Sequence, residues 1–316
     1  MEKPLSRVVI SMVLLAGLIL PGFSPSARLL AQKRQPAHPI WTGQSDGFIM
    51  RWTTSDISAQ SSDKNAQMLF SVIPLAKRGF ALFAAAMKDP DARTAGADCS
   101  YERSFRVLSV VGSLMSLEDG SYAFCQGWAH PAVETRWTAI DLARPGDVAY
   151  ASTDGLAPSD IDLTKRGKVV MLTDVFAEDA ILNALLADPI IKRALQHIGT
   201  LGSPHTLHDL PKLLENRSLE AGDCVFRLPV DVLTRFVFHH VEKDHVAVRL
   251  GLPPNAEACR TEQAHLGILL PIPASLKTSL ALAASGKAGF LMKNQKKIAG
   301  DQITTVAFGT GKFVRD

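Results

Sequence analysis

The chain has 316 residues, of which 47% are apolar, and its formal net charge at pH 7 is +3. This composition is that of a packed globular protein, and the small net charge excludes the strongly basic balance of proteins that bind nucleic acid or anionic membranes. No segment repeats at a fixed period, which excludes a solenoid or a propeller.

The first 31 residues have the layout of a secretory signal peptide. Lys3 and Arg7 precede the apolar run Val8–Leu20, which is broken at Pro21 and followed by small residues. As a helix the run would span about 20 Å, less than the roughly 30 Å hydrocarbon core of a membrane. We therefore expect an exported protein, periplasmic or secreted, without a stable membrane span after leader cleavage. A leader that is kept as an anchor is the alternative.

Residues 32–64 are expected to form an N-terminal extension with a small hairpin. The segment Ile40–Trp52 alternates with a period of two around Ser45-Asp46-Gly47, whose Asp-Gly pair favours a tight turn. The Ala-rich segment Leu75–Lys88 then predicts a helix. It ends before Asp89-Pro90 because proline cannot continue a helix.

Two β-rich segments, Arg103–Val111 and Ser121–Gln126, are expected to pair as a hairpin. Between them lies Glu118-Asp119-Gly120, and we expect the turn there because Asp and Gly tolerate the positive φ that a tight turn needs. A further short strand is predicted to end at Asp141-Leu142.

The second half of the chain mixes helical and strand patterns. Two amphipathic helices are expected on either side of Asp188-Pro189, the second over Ile190–Ile198. These helices are followed by segments in which residues alternate between two faces with a period of two, which predicts strands, and then by a final helix. These elements are the strands Cys224–Leu228, Thr234–Val241, His245–Leu252 and Leu266–Leu270, and the helix Ala274–Ala284.

Together the elements predict an α+β fold, with antiparallel sheets packed against a few amphipathic helices. We expect an N-terminal α/β half over residues 65–165, a C-terminal half over residues 166–286 and a tail over residues 287–316. The tail contains the strand-like segment Ile303–Phe308, for which the sequence indicates no partner.

The chain contains four cysteines, an even number that predicts two disulfides in an exported protein. Four cysteines allow three pairings. We favour Cys99 with Cys125 and Cys224 with Cys259, because each pair then links neighbouring strands, and loops of such length contribute on the order of 3 kcal/mol each. A metal site is the alternative, but no Cys-x-x-Cys or Cys-x-x-His spacing supports it.

Three segments follow one another in a characteristic order: the loop Gly127–Pro131, the run Leu172–Phe176, and a closing strand followed by Pro271–Leu276. In this order, over residues 65–280, the chain resembles the extracytoplasmic domain of the RsiV-like proteins. These include lysozyme-responsive anti-sigma factors and many secreted relatives. The resemblance implies a two-part α+β domain and a protein partner such as a lysozyme-type muramidase, which the chain would sense or inhibit.

Trp128, His130 and Pro131 of the family-like loop are the candidate binding residues. An indole and a fixed proline ring offer contact area at low entropic cost, which suits the rim of a protein-binding site. His130 has a second interpretation. The following proline holds the backbone of His130 extended. Its ring could then form a hydrogen bond with a neighbouring strand or carboxylate and stabilise the turn.

A metal-assisted hydrolase acting in the cell envelope is the alternative function. His239 and His245 could be neighbours across a hairpin, and with Glu242 they would form a weak zinc or copper site. The adjacent His239 and His240 point to opposite faces of a regular strand, so they cannot share a metal without a bend. Exposed histidines at a hairpin end are the simpler interpretation, and we expect no metal.

We therefore expect a non-enzymatic exported protein that binds another protein and uses no cofactor. The sequence contains no nucleophile elbow, phosphate loop or dinucleotide fingerprint. A lysozyme partner meets one objection, because lysozymes are often strongly basic and this chain is slightly basic as well. An acidic face formed by Asp154, Asp160 and Asp162 would remove the objection.

Overall fold

Antiparallel strands and amphipathic helices alternate along the chain. The computed structural model describes residues 38–63, 65–87, 98–148, 167–196, 204–214, 217–255 and 257–312. Within these ranges the chain forms 13 β-strands and six α-helices, and the strands pair antiparallel. The predicted α+β fold is confirmed.

The strands are β1 (Pro39–Ser45), β2 (Phe48–Thr53), β3 (Ile57–Ser61), β4 (Met68–Ser71), β5 (Asp98–Val111), β6 (Leu114–Cys125), β7 (Ala132–Asp141), β8 (Leu219–Ala221), β9 (Cys224–Phe226), β10 (Phe236–Glu242), β11 (His245–Leu252), β12 (Ala264–Pro271) and β13 (Thr304–Lys312). The helices are α1 (Val72–Met87), α2 (Glu178–Ala187), α3 (Pro189–Gln196), α4 (Asp209–Leu214), α5 (Lys277–Ala284) and α6 (Met292–Ala299).

The described strands form three larger sheets and a two-stranded ribbon. The N-terminal sheet has the order β1-β2-β3-β4, and the ribbon consists of β8 and β9. The central sheet has the order β13-β5-β6-β7, so its edge strand comes from the C-terminal segment. The C-terminal sheet has the order β10-β11-β12.

The central sheet separates two hydrophobic cores. Leu114 of β6 lies in the first core, together with Phe236 of β10 and Ile181 of α2. Met115, the next residue, lies in the second core with Trp52 of the N-terminal sheet. Successive side chains of a strand point to opposite faces, so one strand contributes to both cores.

The β5–β6 hairpin turns at Gly112-Ser113, and the turn predicted at Asp119-Gly120 is wrong. Gly112 has a φ of +61°, which suits glycine. Asp119 lies within β6 and is 4% exposed. Its Oδ1 accepts a hydrogen bond from Nε of Arg103 at 2.8 Å. The local sequence Asp-Gly favours a turn, but here the Asp119 carboxylate forms a buried ion pair with Arg103, which keeps both residues within the strand.

The first hairpin matches its prediction. β1 and β2 meet at Asp46-Gly47, where the two residues have φ values of +45° and +83°. Met50 and Trp52 are buried in the second core, whereas Arg51 is exposed. The predicted helix that follows is α1, which begins slightly earlier, at Val72.

Within residues 287–312 the chain contributes a strand to the central sheet and side chains to both cores, with Phe290 in the second core and Leu291 in the first. Phe290 is fully buried and exchanges two backbone hydrogen bonds with Val110, at 2.8 and 2.9 Å. β13 pairs with β5, with Thr304 opposite Phe105. The partner of the strand-like Ile303–Phe308 segment is therefore a strand far upstream in the sequence.

Two disulfides connect Cys99 to Cys125 and Cys224 to Cys259, which is the pairing favoured from the sequence. The first joins residues that lie opposite each other on β5 and β6. The second joins β9 to a one-turn 3-10 helix rather than to a neighbouring strand. Disulfides are typical of proteins in oxidising compartments.

No helix within the described ranges is long and apolar enough to cross a membrane. Residues 37–316 form one compact unit. The predicted boundary near residue 165, the leader and the three aspartates at positions 154, 160 and 162 all lie outside the described residues.

A buried ion network connects the central sheet to the segment before β10. Asp231 is 1% exposed. Its Oδ2 accepts a hydrogen bond from Nη2 of Arg136 on β7 at 2.5 Å, and its Oδ1 accepts one from Nε of Arg235 at 2.9 Å. Burial lowers the pKa of Arg235, and Asp231 opposes this effect by favouring the charged guanidinium. One buried carboxylate thus bridges two arginines at this junction.

We expect Asp231→Asn to lower the free energy of unfolding by about 3 to 5 kcal/mol, because removal of one partner leaves buried charge without compensation. Urea unfolding followed by circular dichroism measures the change. Glu220→Gln, which removes an exposed carboxylate of β8, is the control. A loss of less than about 1 kcal/mol, the range of exposed ion pairs, would contradict a structural role for the network.

Candidate functional site

The end of the central sheet opposite the β5–β6 turn carries two exposed aromatic side chains. Tyr122 and Phe124 are 43% and 37% exposed, whereas Ala123 and Cys125 of the same strand are buried. Because side chains alternate along a strand, the two aromatic rings lie on one face of the sheet. Adjacent exposed aromatic residues are typical of interaction surfaces. We call this part of the molecule the open sheet end.

A short loop, residues 126–131, joins β6 to β7 at the open sheet end and contains the predicted binding residues. Gly127 has a φ of +91°, a conformation that favours glycine. The backbone N–H of Trp128 donates to the carbonyl oxygen of Cys125 at 3.0 Å. Because Cys125 is also bonded to Cys99, the loop starts from a position that is covalently fixed.

The three predicted binding residues lie together in this loop. Trp128 and Pro131 are half-buried, and His130 is exposed. Nδ1 of His130 lies 3.3 Å from the carbonyl oxygen of Pro131, within hydrogen-bond reach when that nitrogen carries the proton. His130 therefore contacts its own loop while its outer side stays accessible.

Exposed carboxylates lie on both faces of the open sheet end. Asp98 and Glu102 of β5 are on the face of Tyr122 and Phe124, whereas Glu134 of β7 is opposite Ser121 and therefore on the other face. Lys312 of β13 pairs in register with Asp98. The basic residues described in this part of β5, β6 and β7 are Arg103 and Arg136, and both are largely buried and paired with buried aspartates. The charge beside the two aromatic rings on β5 is therefore acidic at Glu102, which lies opposite Tyr122, although the whole chain is slightly basic.

Sequence reasoning identified the loop but missed the strand face beside it. A two-residue alternation predicts a strand but does not show which face other elements cover. The exposed face could have been identified from the residues that pair across the two strands, since polar Ser100 lies opposite Phe124 and polar Glu102 lies opposite Tyr122. Polar residues opposite aromatic ones indicate a face that does not belong to a core.

The adjacent histidines of β10 occupy a β-bulge. The register between β10 and β11 shifts between Phe238 and His240. Nδ1 of His239 lies 2.7 Å from Nδ1 of His240, and the two rings are nearly perpendicular. The expectation for a regular strand, with the two rings on opposite faces, is thus wrong here, because the extra residue of the bulge supplies the bend.

His245, the third predicted metal ligand, has a different neighbour. Its Nδ1 lies 2.7 Å from Oδ1 of Asp244, the residue before it. Glu242 lies opposite His245 at the hairpin end, and its Oε2 is 4.0 Å from Nε2 of His240. Among the described residues, no group of three or more His, Cys, Asp or Glu side chains is placed to hold a metal ion.

His239 lies in basic surroundings. The pKa of His239 is lowered from 6.5 to about 4, mainly by burial and in addition by nearby positive charges. These charges come from Arg249 of β11, from His240, from His265 of β12 and from Lys293 of α6. Burial also lowers the pKa of His265, with a smaller effect from Arg249. The described surroundings of His239 therefore favour a neutral imidazole.

A cleft of about 540 Å³ lies beside the Cys224–Cys259 disulfide. Its lining includes Asp223, Glu262, Gln263 and His265, so carboxylate, amide and imidazole groups face the same space. The predicted binding residues are not among the residues that line it. Its walls come from the β8–β9 turn and the start of β12, a combination that local sequence patterns do not reveal.

We expect His239 to titrate near pH 4 in the folded protein, which NMR of the imidazole Cε1–H group would measure. Because this pKa lies below the 6.5 of an unperturbed histidine, the stabilising contribution is present above pH 6.5 and is lost as the pH falls towards 4. Arg249→Gln should raise the pKa because it removes a nearby positive charge. Lys212→Gln, on α4, is the control, and equal titration curves for wild type and Arg249→Gln would contradict the assignment.

The chain matches no protein-family model, no curated protein and no solved structure. Its resemblance to the RsiV-like domain therefore depends on the order of its sequence segments, and the geometry described above is the basis for a functional proposal.

Proposed function

We propose that the chain is an exported, non-enzymatic protein-binding module of the cell envelope that engages a basic protein of the lysozyme class through the open sheet end. The observation that carries the proposal is the exposed pair Tyr122 and Phe124, at 43% and 37% exposure, next to a loop fixed by a disulfide. Sensing or inhibition of the muramidase is the biological role that follows from the resemblance.

Rigid aromatic side chains support a role in protein binding. Aromatic residues dominate the binding energy of many interfaces, because they bury a large area while few rotatable bonds are immobilised. Here they lie on a paired strand rather than on a free loop, so the backbone would lose little freedom on binding. Trp128 and Pro131, in the adjoining loop, would extend the same surface.

Local charge supports a basic partner. The exposed Glu102 lies opposite Tyr122 and gives the aromatic surface a negative charge, and complementary charge increases association rates and suppresses wrong partners. This removes the objection based on net charge without a contribution from Asp154, Asp160 or Asp162. A basic muramidase would approach the negatively charged aromatic surface of a molecule that is slightly basic as a whole.

Two features support export to the periplasm or the medium. The first is the apolar leader within residues 1–31, preceded by basic residues. The second is the pair of disulfides, which are rare in reducing compartments. The lysozyme class of partner would be met in the same location.

The alternative of a metal-assisted hydrolase has less support. It requires His239, Glu242 and His245 to hold a divalent cation together. The positive charges of Arg249 and Lys293 act on His239, and they would repel such a cation. The proposal therefore assigns no reaction and no cofactor to the chain.

The direct test is a calorimetric titration of the disulfide-intact protein from residue 32 onwards with hen-type and goose-type lysozymes. We expect saturable binding to at least one of them. The double variant Tyr122→Ala/Phe124→Ala should bind about tenfold more weakly or worse, as expected when central aromatic contacts are lost.

Leu269→Ala is the matched control, because Leu269 is 44% exposed but lies on β12. It should leave the affinity unchanged. The proposal fails if neither lysozyme binds at about 100 μM, the weak end of specific association, or if the aromatic double variant and the control bind equally well.

A second test addresses the acidic charges. Glu102→Gln should slow the association with a basic lysozyme several-fold at about 20 mM salt, and the difference from wild type should shrink at about 300 mM salt because screening shortens the range of the attraction. Stopped-flow association rates measure this. Glu220→Gln on β8 is the control, and an unchanged rate for Glu102→Gln at low salt would contradict electrostatic steering by the open sheet end.

A further inference from the structure

One face of the C-terminal sheet lies in the first core, and the other carries a basic group of side chains beside a small apolar cluster of Leu108, Trp137 and Val237. We call the second face the basic face. Val246, Val248 and Leu250 of β11 lie in the first core. The alternate residues, among them Arg249 and Gly251, point to the opposite face, which is only partly covered. The Trp137 indole of the central sheet packs over Gly251, and Lys293 of α6 is close enough to act on the histidines of β10.

Arg249 is the centre of this basic face. It pairs in register with Gly267 of β12, and its Nη1 occupies the space that a Cβ at position 267 would need. Its Nε is buried and has no hydrogen-bond partner within the described part of the chain. A half-buried guanidinium usually has a carboxylate partner, because an uncompensated charge is costly to desolvate.

Other cationic or protonatable groups converge on the same place. The positive charge of Arg249 acts on His239 of the bulge and on His265 of β12. His239 is also affected by His240, His265 and Lys293 of α6. The His265 ring is stacked with the Trp137 indole, with the ring centroids 5.9 Å apart. Four different elements thus supply donors to this face, and the Asp188 carboxylate acts on His265 at its edge.

The nearest acidic groups are already engaged elsewhere. Asp188 accepts the backbone N–H of Gly267 through Oδ2 at 2.9 Å, while its Oδ1 accepts the N–H of Ile190 at 2.8 Å and caps α3. Glu242 lies at the hairpin end, 4.0 Å from Nε2 of His240, with a side chain that is 59% exposed. Neither carboxylate forms an ion pair with Arg249 among the described contacts.

We infer that this face binds a single oxyanion group, a phosphate or a carboxylate, with Arg249 as the main donor and Lys293, His239 and His240 as its neighbours. A guanidinium presents paired N–H donors that match two oxygens of such a group. The ammonium of Lys293, which acts on His239, adds a compact charge. The inference is independent of the open sheet end and of any lysozyme partner.

The histidine pair would couple binding to pH. The short contact between the two Nδ1 atoms holds one proton, so one ring donates and the other accepts. The groups that face the pair are Arg249 of β11, His265 of β12, Lys293 of α6 and Glu242 at the end of β10. An anion would offset the repulsion among the positive charges, so protonation and anion binding should favour each other.

The test is a titration of the full chain with sodium sulfate, followed by NMR shifts of the histidine and arginine side chains. Sulfate is the probe because its charge stays constant between about pH 4 and about pH 7.5, and His239, whose pKa is about 4, gains its charge towards the lower of these two pH values. We expect saturable binding that is tighter at the lower pH. Arg249→Gln should weaken it about tenfold or more, as for loss of a charge-assisted bidentate contact.

Two further variants keep the inference testable if Arg249→Gln does not fold. Lys293→Gln changes an exposed residue, and Gly267→Ala displaces the guanidinium with a single methyl group. Both should weaken sulfate binding, whereas Lys212→Gln, on α4 at the first core, should not. The inference is overturned if sulfate does not saturate at either pH, or if all three site variants bind it like wild type.

The class of oxyanion is distinguished by two parallel titrations, one with inorganic phosphate and one with acetate. Tighter binding of phosphate assigns the site to a phosphate-bearing ligand, and tighter binding of acetate assigns it to a carboxylate-bearing one. Failure of both probes to bind would refute the assignment of an oxyanion site.

Discussion

The architecture depends on one constraint, which is that the central sheet must fill two cores at once. Adjacent residues of β6, Leu114 and Met115, belong to different cores, so a shift of one residue in the register would exchange the contents of both. The register is held from outside the cores as well. The Cys99–Cys125 disulfide fixes one end of the hairpin, and Asp231 ties β7 to the segment before β10.

This constraint also explains where the molecule is left uncovered. The hydrophobic residues are concentrated near the β5–β6 turn, where both faces of the sheet are packed, while the opposite end extends beyond the first core. Tyr122 and Phe124 lie on that extension. A surface on paired strands is preorganised, so binding there would require little rearrangement. The aromatic pair thus lies on the same face of β6 as Leu114 but beyond the first core, and Arg249 lies on the face of the C-terminal sheet that points away from that core.

Local patterns predicted what depends on neighbours in sequence. The Asp46-Gly47 turn, the helices around Asp188 and the strand His245–Leu252 required only alternation, spacing and turn chemistry. The pattern failed where tertiary contacts decide. Asp119-Gly120 has the composition of a turn, and only the hydrogen bond from Arg103 to Asp119 shows that the pair lies within a sheet. The bulge that brings the rings of His239 and His240 together depends on the register with β11. The basic face around Arg249 combines four elements, and no single segment of sequence indicates it.

The pairing of β13 with β5 has a consequence for biosynthesis. Thr304 lies opposite Phe105, so this ladder closes a very long loop, whereas the β5–β6 hairpin is local and can form early. Until residues 304–312 have been synthesised, one edge of β5 has no strand beside it. An unpaired edge of a long strand is a template for association with other chains. Until β13 pairs with it, this edge of β5 is therefore open to such association.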